Sequence, residues 1–296
     1  MTARVLLLCL LVQGPRAVRV GPVTAVAWPA QMALAEALAR EAAEPAEWPG
    51  LGRLAADTLS LIVVPDRARL DSLAHGRAPA WGAALAFPES RTILLRADAG
   101  DLRRTLRHEL GHLVLHQRVR VRVPLWFDEG YAALAAGELD RLEALRLNLS
   151  VARGKVPGFF ELDRGLRDDE STAQAAYALA ASAVSLLARR HPTHSLTPLL
   201  DRLAAGEGFD SAVLATTGSP LGRFELEWQR DVRKRFGLLG WAMAGGLWVL
   251  VAALLLVAVW VRRRRDRPRR RALDEGWIVE EEPDPQPPLE EAGPGP

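Results

Sequence analysis

Two histidines four residues apart, the first followed directly by a glutamate, occur in His108-Glu-Leu-Gly-His112. This spacing constrains the chain more than any other feature. On an α-helix, residues i and i+4 lie nearly one above the other, so the two imidazoles can share one metal ion there. Glu109 falls beside them, where a carboxylate can take a proton from a metal-activated water. The flanking residues agree. At about 100° per residue, Leu102, Leu106, Leu110 and Leu113 form one apolar stripe. His108, His112 and Thr105 share a second face with Glu109 at its border, and Arg103, Arg104, Arg107 and Arg118 form a third. A core face, a polar face and a solvent face are what a helix on the floor of a cleft needs. Asp101 or Asp98 is available to cap its N-terminus, where an acid suits the helix dipole. The pattern implies a zinc-dependent hydrolase, with a peptidase as the leading reading.

Sixteen residues separate His112 from Glu129, which lies inside Pro124-Leu-Trp-Phe-Asp-Glu-Gly-Tyr-Ala132. With this second motif the chain resembles the gluzincins, and within them the peptidase MA-like family related to thermolysin and the aminopeptidase-N group. Members pair the H-E-x-x-H helix with a Pro-x-Trp-x-x-Glu-Gly-x-Ala segment that opens a second helix. The resemblance implies that His108, His112 and Glu129 bind one Zn2+ per chain and that Glu109 is the general base. The gap between the motifs is somewhat shorter than in thermolysin-like enzymes. Those enzymes also carry an acid four residues after the glutamate ligand. Ala133 stands there in this chain, so the resemblance names no residue to orient a ligand histidine. Asp128 is expected to point away from the site as a cap or solvated acid, and His116 to lie at the cleft rim. The chain has two tyrosines. Tyr131 is expected to pack. Tyr177, in a later helix, by resemblance donates its hydroxyl to the oxyanion of the tetrahedral intermediate. A core tyrosine is the alternative, and Ala180 departs from the Ser or Gly of the family pattern.

Upstream, Leu59-Ser-Leu-Ile-Val-Val-Pro65 reads as a buried strand. Trp81 to Pro88 and Arg91 to Arg96 read as a hairpin-like pair, and such an edge before the catalytic helix can bind a substrate backbone by strand addition. Gln31–Ala43 is Ala-rich and helical, and helical patterns recur over Arg141–Ala152, Ala173–Arg190, Leu196–Ala205 and Pro220–Phe236. The expected fold is therefore α+β: a small N-terminal β-sheet with helices, the zinc-binding active-site helix, a mostly helical C-terminal half and one C-terminal transmembrane helix. The expected organisation is a signal peptide over 1–25, a metallopeptidase domain over 26–236, a transmembrane helix over 238–261 and a tail over 262–296.

The transmembrane reading rests on 24 residues without charge, Leu238 to Val261, with Trp241 and Trp260 near the ends. Eight arginines follow in Arg262–Arg271, about twice the basic flank before the span, so the positive-inside rule puts the C-terminus in the cytoplasm and the peptidase domain outside. Val5 to Val12 is a short apolar run after Arg4, too short to span, with cleavage expected near Ala17 or Ala25. Cys9, the single cysteine, would leave with it. The tail from Asp274 is acidic and Pro-rich and expected to be disordered. With a net charge of +2 and the basic residues clustered beside the apolar span, nucleic acid is excluded as a partner. The expected partners are a peptide or protein substrate and the membrane. An intramembrane protease is disfavoured, because the H-E-x-x-H helix carries four arginines. A membrane-anchored binding or scaffold protein with an inactive peptidase site is the alternative from another class.

Overall fold

The computed structural model describes residues 14–55, 57–79, 81–137, 156–241 and 245–275, the side chains of 236–244 and 268–275 excepted. The fold is α+β, with a small N-terminal sheet and a mostly helical remainder. Five strands form the main sheet: β1 (Arg16–Val20), β2 (Val23–Ala27), β5 (Leu59–Val64), β6 (Ala84–Phe87) and β7 (Thr92–Arg96). Their spatial order is β1-β2-β5-β7-β6. The inner pairs β2/β5 and β5/β7 run parallel, while the outer pairs β1/β2 and β6/β7 run antiparallel. A short hairpin, β3 (Ala46–Trp48) and β4 (Gly52–Leu54), stands apart.

The period-2 alternation of β5 divides its side chains between two cores. Leu59, Leu61 and Val63 face α1 (Met32–Ala43) and α3 (Leu102–Arg118), with Leu38, Ala39, Leu106 and Leu110. Ile62 and Val64 face α2 (Arg67–Ala74) through Leu70 and Ala74. The hairpin expected from Trp81–Pro88 and Arg91–Arg96 is β6/β7, in the register Ala84↔Leu95 to Phe87↔Thr92. It leaves β6 at the end of the sheet.

The sheet begins earlier than expected. β2 lies between β1 and β5, and Val23, Ala25 and Ala27 are fully buried. β1 and most of β2 fall within the 1–25 stretch expected as a signal peptide, and cleavage near Ala25 would remove them from the sheet. The apolar run Val5–Val12 lies outside the described residues.

The helical part continues with α4 (Leu125–Ala135), α5 (Phe159–Gly165), α6 (Glu170–Arg190), α7 (Thr197–Ala204), α8 (Phe209–Thr217) and α9 (Leu221–Trp241). The helix expected over Arg141–Ala152 lies outside the described residues. A third core joins these elements around Trp126, Phe127, Phe159, Phe209, Phe224 and Trp228. Trp126 stacks on Phe159 with ring centroids 4.1 Å apart. Trp228 donates its indole N–H to Ser182 Oγ at 2.9 Å, and that hydroxyl donates to Leu179 O at 2.7 Å, so these two buried polar groups satisfy each other and the helix. By length and composition α6 would also cross a bilayer, yet 61% of its apolar stretch is buried within the domain. It is a core helix.

The chain divides into two units between residues 244 and 245. Of the charge-free segment expected as one span over 238–261, residues 238–241 and 245–261 are described. Its first residues close α9, Gly245 has a φ of +97°, and α10 runs from Leu247 to Glu275, through the arginines. Only glycine takes such a φ without strain. The apolar side chains of Leu247 to Val261 are exposed along α10.

Candidate active site

α3 starts where the sequence places a cap: the Asp101 carboxylate accepts the Arg104 amide at 3.1 Å. Asp98, the other candidate, pairs with Arg96 instead, at 2.9 Å. The Leu106–Leu110–Val114 side of α3 is buried against the sheet, which leaves the histidine side to face α4. Arg107 departs from its expected solvent face. Its guanidinium lies over Trp48, 3.8 Å from the ring centroid, and donates to Ala135 O at 3.0 Å and to Glu47 O. It ties α3 to the end of α4 and to β3.

Two glycines bring the helices close. A Cβ on Gly111 would stand 3.0 Å from Ala132 Cα, and one on Gly130 only 2.6 Å from the backbone carbonyl of Ala180. α4 is thus held between α3 and α6 by near-contact of backbones. Its start is fixed from a distance, since the Trp126 amide donates to Asp163 Oδ1 at 2.7 Å. With Trp126, Phe127, Gly130 and Tyr131 buried in the core, the helix period turns Asp128 and Glu129 toward α3.

There the expected site residues converge. His108 Nε2 lies 3.3 Å from Glu129 Oε2, and His112 Nε2 lies 3.5 Å from the same oxygen. The ligand atoms of the three residues all fall within 4.8 Å of one another. Tetrahedral coordination with zinc bonds of about 2.0–2.2 Å separates neighbouring ligand atoms by about 3.3–3.6 Å. The two short separations fit that geometry, and they are long for charge-assisted hydrogen bonds, which run about 2.7–2.9 Å. Two imidazoles and a carboxylate are also a donor set that zinc prefers. The residues present fit the ion.

Asp128 does not point away. Its Oδ1 accepts from His112 Nδ1 at 2.8 Å, and its Oδ2 pairs with His116 Nε2 at 2.8 Å. A carboxylate on Nδ1 fixes the tautomer and aims Nε2 at the metal position. Asp128, on the near side of Glu129, thus stands where a partner that orients a ligand histidine would, a place the resemblance left open at Ala133, and His116 anchors it. A helical reading of both motifs together contained the signal. His108, His112 and His116 form an i, i+4, i+8 ladder, and two adjacent acids on the facing helix can each span two neighbouring rungs.

The electrostatics follow from this crowding. Burial works against a charged His112, but Asp128 and Glu129 outweigh it and raise its pKa well above the usual histidine value. Burial pushes Glu129 up, yet His112 and His108 draw it down to about 2, and the histidines hold Asp128 below the usual carboxylate range despite its burial. Glu109 behaves oppositely. It is 8% exposed, and burial pushes its carboxyl above the ordinary range, against the pull of His108 and His112.

These groups open on a cleft of about 480 Å3 bordered by β6, by Pro79 and Trp81–Ala83 before it and by α6. Tyr177 of α6 lines it, its ring edge-on to His108 at 5.6 Å. Tyr131 is buried in the third core, the helical one, as expected. We expect Asp128→Ala to weaken zinc binding by about 10- to 100-fold while the fold is retained. Competition against a chelator of known affinity measures this, and unchanged affinity would remove Asp128 from the site. Residues 68–234 match the sequence model of the Peptidase MA superfamily, a span that holds every residue of this site. No curated protein matches the chain.

Proposed function

The chain belongs to the Peptidase MA superfamily, and from that premise we propose a membrane-anchored, zinc-dependent metallopeptidase of the gluzincin kind. The observation that carries the reading is the meeting of His108 Nε2, His112 Nε2 and Glu129 Oε2 at zinc-ligand separations, beside a buried carboxylate on a cleft wall. Those three residues would hold Zn2+, which supplies Lewis-acid activation of water and polarisation of the scissile carbonyl.

The chain's own residues then act as follows. Main-chain groups of β6 pair with an extended substrate and present its carbonyl over the site. Glu109 accepts the proton of the attacking water and returns it to the leaving amine. Burial suits it to both roles, because a carboxyl with a raised pKa is a better base and a more available acid near neutrality. Tyr177, over His108 at the cleft wall, donates a hydrogen bond to the oxyanion of the tetrahedral intermediate. Asp128 keeps His112 in register, and His116 keeps Asp128.

The anchor is the apolar stretch that includes α10. Exposure on every side of Leu247–Val261 suits a helix surrounded by lipid. The arginines that follow put the tail on the cytoplasmic side and the peptidase domain outside. Protease added to intact cells should digest the domain; protection of the domain would refute this topology.

The test of the site is zinc per chain, measured by elemental mass spectrometry on the full-length protein in detergent. About one zinc per chain is expected, with its loss in Glu129→Ala. A folded wild-type chain that takes up no zinc would sink the reading.

A further inference from the structure

The wall of the cleft formed by α6 presents Glu170, Gln174 and Tyr177, spaced four and three residues apart on one helix face. The helix start does not depend on Glu170. Asp169 is the N-cap, its carboxylate accepting the amides of Ser171 and Thr172 at 3.0 and 3.2 Å and both of their hydroxyls. Glu170 Oε1 accepts from Gln174 Nε2 at 3.2 Å. A carboxylate has room for about four hydrogen bonds, so this amide leaves capacity for a ligand.

The same part of the cleft is aromatic and braced. Trp81 Nε1 donates to Asp168 O at 3.2 Å, joining the approach to β6 with the approach to α6. The Trp81 ring meets Tyr177 edge-on, with centroids 6.0 Å apart. The ionisable residues lining the cleft are His108, His112 and four carboxylates, Glu109, Asp128, Glu129 and Glu170; no lysine or arginine is among the described lining residues. A divalent ion would offset two of the four negative charges. Three of the four carboxylates have parts in the proposed hydrolysis, and Glu170 has none.

We propose that this part of the cleft is a subsite for a positively charged group of the peptide, an ammonium or a guanidinium, and that Glu170 is its specificity-determining residue. The proposal rests on the peptidase reading above. The carboxylate attracts the cation, the neighbouring rings of Trp81 and Tyr177 favour it over a neutral group, and an acidic group there meets the like charge of Glu170. Two sources carry this chemistry: a Lys or Arg side chain within the substrate, or a free N-terminal amine. The first makes the enzyme an endopeptidase with a basic preference, the second an aminopeptidase.

Equilibrium binding tests this apart from turnover. Fluorescence anisotropy is measured with C-terminally labelled peptides on the zinc-loaded full-length chain bearing Glu109→Gln, so that peptides bind uncut. The probes are an acetylated neutral peptide, its acetylated Lys, Arg and Glu counterparts, and the neutral peptide with a free amine. One cationic class is expected to bind about five- to tenfold tighter than the acetylated neutral peptide, and the Glu peptide more weakly. Which class gains identifies the source of the charge. Adding Glu170→Gln should remove the preference, and Glu170→Lys should turn it toward the Glu peptide. Equal binding of neutral and cationic peptides, or a preference that survives Glu170→Gln, overturns the subsite and leaves the peptidase reading standing. If no peptide binds, both fall.

Discussion

Replacing Glu109 by Gln should lower turnover of a peptide substrate by about 10²- to 10⁴-fold while zinc content stays near that of the wild type. The two side chains have the same shape, so the packing of a residue that is 8% exposed is preserved. What the amide cannot do is accept a proton. His108, His112 and Glu129, which would hold the ion, are untouched. Zinc content and kcat on one cleaved peptide, measured on the same preparation, separate the possibilities. Full activity in the variant would remove Glu109 as the base. Joint loss of zinc and activity would make it part of the metal site instead. A wild-type chain that binds zinc and cleaves no peptide would shift the balance to the membrane-anchored binding protein.

Gly130→Ala should destabilise the domain by about 1–3 kcal/mol or more and weaken zinc binding with it. The added Cβ would stand 2.6 Å from the carbonyl carbon and oxygen of Ala180 and 2.9 Å from Val184 Cγ2. Two of these three atoms are helix backbone, which cannot swing aside as the end of a long side chain can. α4 must therefore move off α6, and it carries Asp128 and Glu129 in the turn that includes Gly130. Intrinsic helix propensity pulls the other way by about 1 kcal/mol in favour of alanine, so the sign of the result isolates the packing clash. Gly222→Ala is the control. It lies in α9 with no atom within 4 Å of the new Cβ, and it should be neutral or slightly stabilising. Thermal denaturation of the two variants checks the pair. A Gly130→Ala chain as stable as the wild type would mean that α4 and α6 do not pack at this separation.

The local patterns in the sequence determined much of this protein. Leucines at helical spacing, with an acid before them, specify α3 and its Asp101 cap, because helix period and capping act within a few residues. The β-branched run of β5 and the hairpin β6/β7 were legible for the same reason, as was the pairing of His108 with His112 on one helix face, since the four-residue spacing is a property of one helix. What lay beyond a single element was not legible. β1 and most of β2 lie within the 1–25 stretch that reads as a signal peptide, because a short strand gives no signal of its own until its partner is known; only the parallel pairing of β2 with β5 makes Val23, Ala25 and Ala27 core. Arg107 reads as a solvent residue on its own helix and becomes a clasp when Trp48 and Ala135 arrive from elsewhere. Asp163 reaches the start of α4 across 37 residues. Asp128 shows the division most directly. Its identity and its place beside Glu129 are in the sequence, but its partners, His112 and His116, belong to another helix. Which acid meets which rung depends on how closely α3 and α4 approach, and Gly111 against Ala132 sets that distance only once the chain is packed.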